Sequence, residues 1–279
     1  MTANATDARP IQGVSAITAY GATTIDKFDQ VVVEAPLSIR VNGEPVATTM
    51  RTPGHDQDLA VGWLAAETDM VERSDIARIA RDASLGSTNE GTQPSIDVVS
   101  IELADHVQVP VPRAYLTSSS CGICSAEVLE ATPVPRAKLQ TESWCLAPHK
   151  AHSSVSEMRA QQKMFDLTGS LHAAGIASPE SELLVVREDV GRHNAVDKVI
   201  GSSFRTGHYP LTDHILLVSG RVSYEIVAKA LRACFAGIIA VSGPTSLAVD
   251  LARAYGLLLV GFTREGRFNV YSGGERIAL

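Results

Sequence analysis

The sequence predicts an α/β protein in two parts, a strand-rich N-terminal domain followed by an α/β C-terminal domain. Three observations carry this. Before residue 103 the apolar runs are short, rich in β-branched residues and broken by turn dipeptides such as Asn42-Gly43. After residue 171, short apolar runs alternate with stretches of helical spacing, the pattern of a layered domain with a largely parallel sheet. Between the two lies a connector rich in Pro, Ser and Thr, roughly residues 104–153. A loop of that length inside a folded chain is expected to be functional. The expected division is a polar flexible tail over 1–14, an N-terminal α+β domain over 15–150 that ends in the connector, and the C-terminal domain over 151–279.

Each element has its own warrant. Strands are expected over 30–34 and 37–41, separated by Ala35-Pro36 and closed by Asn42-Gly43. A helix is expected over 56–66, because Leu59, Gly62, Trp63 and Ala66 share a face and Asp56 can cap it. Strands follow at 76–83 and 96–103 around a polar turn. In the C-terminal domain the pattern predicts one helix over 155–167 and a hairpin of 171–176 with 182–187. It then predicts a helix over 194–204, strand 214–219, helix 224–232, strand 237–242, helix 246–255 and strand 257–262. Ser223 is placed to cap the helix at 224, and Thr245 or Ser246 the next.

Composition narrows the function. A net charge of −7 argues against a general nucleic-acid binder, which carries a basic surplus, and leaves room for a local basic pocket. No apolar stretch nears the roughly 20 residues of a membrane span. The N-terminus lacks the basic and apolar regions of a signal peptide, so a cytoplasmic protein is expected. At 279 residues the chain buries enough apolar surface to need no disulfide staples. Its close cysteine pair therefore reads as catalytic or metal-binding.

That pair is Cys121 and Cys124, in T-S-S-S-C-G-I-C-S over 117–125. Two intervening residues bring both sulfurs to one spot, where a thiolate can attack a persulfide and carry its outer sulfur away. The pair lies mid-chain in a polar loop rather than at a strand-to-helix junction, which weakens a thioredoxin reading. Cys121, Cys124, Cys145 and His149 are a conceivable zinc set. Against it, Cys145 between Trp144 and Leu146 reads as a small buried hydrophobe, and Cys234 reads as core. No bound metal is expected.

Four turns of the C-terminal domain together point toward a phosphorylated ligand, although each alone also reads as ordinary turn and cap chemistry, with Arg187–Glu188 and Arg192–Asp189 readable as surface salt bridges. The first, V-V-R-E-D-V-G-R-H-N, holds Arg187, Arg192 and His193; the second, V-S-G-R-V-S-Y-E, holds Ser219 and Arg221; the third, V-S-G-P-T-S-L, holds Ser242. The fourth, G-F-T-R-E-G-R-F-N-V, sets Arg264 and Arg267 about Gly266 as a fork of cations. Strand ends and helix starts of open α/β sheets are where phosphorylated ligands bind. His172 reads equally as a buried, hydrogen-bonded histidine or as a site residue, and His193 has the better claim. His172 stands in T-G-S-L-H-A-A-G, reminiscent of the H-x-E element of zinc deaminases, but Ala174 replaces the glutamate that such chemistry needs.

Taken together, C-G-I-C, T-G-S-L-H-A-A, R-E-D-V-G-R-H-N-A-V-D-K-V-I-G, S-G-R-V-S-Y-E-I-V, P-T-S-L-A, R-x-G-R-F-N-V-Y and the earlier R-T-P-G-H-D-Q-D-L-A-V-G-W-L resemble the signature blocks of the FdhD family. These are the accessory sulfurtransferases of formate dehydrogenase, and the resemblance runs from about Phe28 to Tyr271. It implies a cytidine-deaminase-like fold for the C-terminal half. It implies a persulfide received from a cysteine desulfurase on Cys121, with Cys124 assisting. The sulfur would pass to the bis-molybdopterin guanine dinucleotide form of the molybdenum cofactor, before that enters the catalytic subunit of formate dehydrogenase. Phe262, Thr263, Arg264, Glu265, Gly266 and Arg267 match the family's cofactor-binding stretch, so GDP, a fragment of the cofactor, is an expected ligand. A homodimer is also implied. Ser125 stands where the family often has glycine, and E-T-D from Glu67 where it has E-G-I. The competing readings are a cofactor-binding chaperone without obligatory sulfur transfer and a zinc-stabilised structural protein.

Overall fold

The β-branched runs of the N-terminal half pair mainly with near neighbours in sequence. The computed structural model of the chain describes residues 9–20, 23–85, 95–110 and 145–278. Strands β1 (Ile11–Tyr20) and β2 (Thr23–Val32) form an antiparallel ribbon that joins no other sheet, with pairing that starts at Ile11. Strands β3 (Ala35–Val41) and β4 (Glu44–Arg51) form a hairpin over Asn42-Gly43, both at positive φ, as the twist-matched two-residue turn requires. Strand β6 (Ile96–Leu103) joins β3 in parallel, and β5 (Ile76–Leu85) pairs antiparallel to β6, giving the order β4-β3-β6-β5. Helix α1 (Asp56–Glu67) connects β4 to β5 of this sheet and is buried along most of its length.

The C-terminal half opens with two helices where one was expected. Helix α2 (Pro148–Ala160) ends, and α3 (Lys163–Thr168) begins after a residue of non-helical geometry, Gln162. The cause is distant in sequence: the Glu188 carboxylate accepts the free N–H groups of Met164 (3.0 Å) and Phe165 (2.8 Å) and so starts a new helix. The hairpin of β7 (His172–Ala177) and β8 (Leu183–Asp189) follows as expected, then α4 (Arg192–Arg205) and β9 (Ile215–Val218). Helix α5 (Tyr224–Arg232), β10 (Gly237–Ala240), α6 (Ser246–Tyr255) and β11 (Leu258–Arg264) complete the alternation. Thr245 caps α6 by accepting from Ala248 N, whereas Ser223 makes no cap on α5 and bonds to His193 instead. A final strand, β12 (Arg267–Ser272), has no counterpart in the sequence reading. The sheet order is β12-β11-β10-β9-β7-β8. Only β9, β10 and β11 are mutually parallel, and both edges are antiparallel hairpins, so the expected largely parallel sheet is mixed.

Both faces of this sheet are covered. On one, a core cluster runs from Leu37 and Ile39 through Leu59 and Leu64 of α1 to Val196, Ile200 and Phe204 of α4, and on to Leu216 and Val218. On the other, Val155 and Met158 of α2 pack on Leu217, Ile239 and Val260. Two cysteine expectations are corrected. Cys145 is exposed, and its neighbour Leu146 fills the core position, bridging to Ile277. Cys234 is half-buried, in a left-handed turn after α5, with burial raising its thiol pKa. No helix among the described residues is long and apolar enough to cross a membrane.

The halves are joined by two devices. The first is close backbone approach of α1 to α4. A Cβ on Gly62 would collide with the Asp197 carbonyl, and one on Gly201 with the Asp58 carbonyl. The second is a buried polar network. Asp189, fully buried, accepts from Thr52 N (3.1 Å), Gly191 N (2.8 Å) and Asn194 Nδ2 (3.1 Å), and its other partner is Lys198 Nζ at 2.7 Å. Asn194 also donates to Met50 O (2.8 Å), and Lys198 to Thr52 O (2.9 Å), so β4 is stitched to the β8–α4 turn. Arg51, one residue before Thr52, is held by Asp56 (2.9 Å), Asp97 and Ala35 O.

Replacing Gly201 or Gly62 by alanine forces backbone, not a flexible side chain, to move. The expected loss exceeds the ~1–3 kcal/mol of ordinary overpacking. Melting temperature should fall by at least about 5 °C in a thermal scan, at ~2–4 °C per kcal/mol for a chain this size. An unchanged melt for both variants contradicts the close α1–α4 crossing.

Candidate functional site

Because β9, β10 and β11 run the same way, their carboxyl ends share one edge of the sheet. β7 runs opposite to β9, so its first residue, His172, reaches that edge too. A cavity of about 770 Å³ opens there, the size of a small-molecule site and at the place where open α/β sheets bind ligands. One wall is made by Ser219 after β9, Val241 after β10, and Thr263, Arg264 and Glu265 at the end of β11. The facing wall comes from α2 and α3, with Met158, Gln162 and Phe165.

The expected cofactor stretch is a hairpin rather than a plain strand end. Arg264 and Arg267 are cross-strand partners, and Gly266, at φ 73°, makes the turn between them. Thr263, Arg264 and Glu265 line the cavity, and Phe262 lies outside its lining, half-exposed, with its ring against Gly243. One Arg264 nitrogen donates to Val241 O (2.7 Å) and Thr263 O (2.8 Å), which anchors the side chain and leaves its other N–H groups available. Among the described residues neither Arg264 nor Arg267 forms an ion pair with Glu265 or Glu275. Thr263 is 2% exposed, and its Oγ1 is buried with no hydrogen-bond partner among the described residues. An unpaired buried hydroxyl beside a cavity is a place a ligand can satisfy.

The other expected residues divide. Ser219 lines the cavity and its Oγ accepts from Ala173 N at 2.9 Å. His172 lines it as well; burial lowers its pKa, and Arg192 and Arg221 lower it further. A Cβ on Gly220 would stand 3.1 Å from His172 Nδ1, so glycine here lets the ring pack tightly. Ser242 is one residue past the lining, and its carbonyl accepts from Phe262 N at 3.2 Å. Arg187 faces away, toward Asp58 (3.3 Å) and Ser202 (3.0 Å) on the side where α1 meets α4. His193 is interior, with Nε2 at 3.0 Å from Ser223 Oγ and 3.6 Å from Glu225. Cys121 and Cys124 lie outside the described residues. Among the described residues no group of three or more His, Cys, Asp and Glu is placed to hold a metal.

His152, Arg159, Gln162 and Phe165 also line the cavity, and the sequence reading did not find them. Their signal is weak, because an uninterrupted helical pattern over 155–167 hides the break that turns them inward. Chemically, the cavity joins an apolar wall to a polar rim of hydroxyl, imidazole and guanidinium groups, an arrangement suited to an organic anion.

The FdhD/NarQ family model matches residues 32–278. Proteins named sulfur carrier protein FdhD are similar across most of the chain. That of Streptomyces coelicolor is 43% identical over 262 residues, covering 90% of each chain. That of Streptomyces avermitilis is 45% identical with the same coverage, and that of Sulfolobus acidocaldarius is 40% identical over 90% of this chain and 92% of its own. In fold, the chain is similar to the crystal structure of a Desulfotalea psychrophila protein named as a formate dehydrogenase accessory protein. The TM-score is 0.74 at 24% identity, over 96% of this chain and 99% of that one.

The buried imidazole gives a pH prediction. Burial, with Arg192 and Lys229 nearby, takes the His193 pKa from 6.5 down to about 4, although Glu225 acts the other way. The folded state thus binds this proton less readily than the unfolded chain. The stability that His193 contributes is complete above pH 6.5 and is lost as pH falls toward 4. Melting temperature should decline across that window, and His193→Gln should shrink the decline. An identical decline in the variant would assign the acid sensitivity to other groups.

Proposed function

The chain belongs to the FdhD/NarQ family, and from that premise we propose that it carries persulfide sulfur from a cysteine desulfurase to the molybdenum cofactor of formate dehydrogenase. A sulfur-carrier role tied to formate dehydrogenase is the family's own. The finer steps rest on the C-G-I-C pair and on the strand-end cavity. The Cys121 thiolate attacks the outer sulfur of the donor persulfide, forming Cys121–S–SH and returning the donor cysteine as a thiolate. Attack of the Cys124 thiolate on the inner sulfur then releases hydrosulfide to the cofactor and leaves a Cys121–Cys124 disulfide, which a dithiol reductant reopens.

The bis-molybdopterin guanine dinucleotide cofactor is cargo in this scheme. The observation that supports a site for it is the cavity, where Thr263, Arg264 and Glu265 of the family's cofactor stretch meet His172 and Ser219. Arg264 and Arg267 each offer planar pairs of donors that match phosphate oxygens. The same reading has the protein work in the cytoplasm as a homodimer, handing the sulfurated cofactor to the catalytic subunit of formate dehydrogenase.

The test is mass spectrometry of the protein after incubation with a cysteine desulfurase and cysteine. A sulfur adduct of about 32 Da per persulfide should map to Cys121 and vanish in Cys121→Ala. An adduct confined to Cys145 or Cys234 overturns the assignment. A Cys121→Ala protein that still delivers sulfurated cofactor would favour the chaperone reading.

A further inference from the structure

The β1–β2 ribbon pairs from Ile11 with Val32 to Tyr20 with Thr23, and among the described residues it joins no other sheet. A two-stranded ribbon is marginal by itself and needs further strands or a covering element. The body of the molecule supplies part of this, since β2 packs on α3. The side chains alternate accordingly. Val14, Ala16, Thr18, Asp29 and Val31 share one face and are partly buried, whereas Gly13, Ser15, Ile17 and Phe28 share the other and are exposed. Ile17 is 70% exposed and Phe28 73%. The Phe28 ring lies over Gly13, where a Cβ would stand 2.0 Å from it.

The two edges of the ribbon differ. β2 carries Asp26, Lys27 and Asp29. β1, I-Q-G-V-S-A-I-T-A-Y, has neither a charge nor a proline. Charges and prolines are what keep an edge strand from pairing with another chain, so β1 is unguarded along about 34 Å. Its sequence also fits itself. In an antiparallel pair of two β1 strands centred on Ser15, Gly13 stands opposite Ile17 of the second copy, and Ile11 opposite Ala19 of the second copy. Large faces small in both pairs, and Ile17 of the second copy comes onto the Phe28 ring that covers Gly13. On the other face Val14 opposes Ala16 and Gln12 opposes Thr18, so no charge meets another. The overlap, over 11–19, supplies about nine main-chain hydrogen bonds, as many as a typical protein interface holds.

We propose that β1 is the self-association edge of this protein. Two chains pair their β1 strands antiparallel about a two-fold axis at Ser15, which makes one four-stranded sheet and sets Ile17 of each copy on Phe28 of the other. The inference rests on the homodimer reading above and says which surface performs it. A two-fold axis fits, because the same strand serves both copies.

Light scattering on the eluting full chain tests this by reading its mass. The parent should run at twice the chain mass. Ser15 is exposed, so Ser15→Lys leaves the fold of one copy alone and sets two lysines face to face at the axis. Ser15→Lys and Ser15→Glu should each run as a monomer with the parent's circular dichroism. An equal mixture of the two should recover the dimer, because lysine then faces glutamate, and a role of Ser15 confined to folding cannot give that recovery. If both variants stay dimeric, or if their mixture stays monomeric, the pairing at Ser15 is wrong and the homodimer reading passes to another surface. If the parent is itself a monomer, both readings fail. Should a charged variant lose the parent's circular dichroism, Ser15→Cys takes its place. On mild oxidation it should give a dimer linked through position 15, since opposed Cα atoms about 4.5–5.5 Å apart lie within disulfide reach, and the absence of that link contradicts the pairing.

Discussion

Asp189 is the carboxylate on which the two halves of the molecule meet. Fully buried, it engages Lys198, Asn194, Gly191 N and Thr52 N, and so ties β4 to the β8–α4 turn. A buried carboxylate is tolerable only when its oxygens are all engaged by donors and a cation, and these partners supply that. Removing one partner of such a pair leaves an uncompensated charge and typically costs about 3–5 kcal/mol. A second buried pair, Asp197 of α4 with Lys229 of α5 at 2.7 Å, joins the two helices. Burial pulls Lys229 toward neutrality, but Asp197, Glu225 and Glu67 outweigh it and keep it charged. Gly62 and Gly201 let α1 and α4 touch backbone to backbone, and one core cluster runs through residues of both sheets.

This gives the long block R-E-D-V-G-R-H-N-A-V-D-K a physical meaning that differs from its first impression. As a sequence it reads as an anion-binding turn. In the fold, Arg187 faces Asp58, Glu188 starts α3, Asp189 and Lys198 pair, Asn194 holds β4, and Asp197 pairs with Lys229. Most of the block is architecture, and its effect on the cavity is indirect. By starting α3 where it does, Glu188 bends the chain at Gln162 and creates the wall that faces the strand ends. The groups that line the cavity come from other blocks: His172 from T-G-S-L-H-A-A, Ser219 from S-G-R-V-S-Y-E, and Thr263 to Glu265 from the final hairpin.

What the sequence revealed was what local chemistry decides. Helices α5 and α6 have the expected bounds, because apolar spacing and a capping threonine are local signals. The strands β9 to β11 were legible for the same reason, and with them the edge on which a ligand site sits. The break between α2 and α3 was not legible, since it depends on a carboxylate 24 residues away. β12 was missed because it is mostly exposed and lacks an apolar run. The same limit applies to the site. Position at a strand end predicts the right edge, but not which way a side chain turns, so Thr263, Arg264, Ser219 and His172 reach the cavity while Arg187 and His193 do not. Cys145 shows it in miniature: one residue of register places Leu146 in the core and the cysteine outside.

If the chain carries the cofactor as proposed, the cofactor's nucleotide sits in the strand-end cavity, closed by the α2–α3 elbow. Hydrogen exchange of the full chain with and without GDP tests it most directly, because amides that a ligand orders become protected wherever the ligand lies. Added protection is expected in three separated stretches, over 161–172, 219–221 and 261–267, with the buried β9 and β10 unchanged. Protection confined to the β1–β2 ribbon or to the β3–β6 sheet, with those three stretches unaffected, would contradict it.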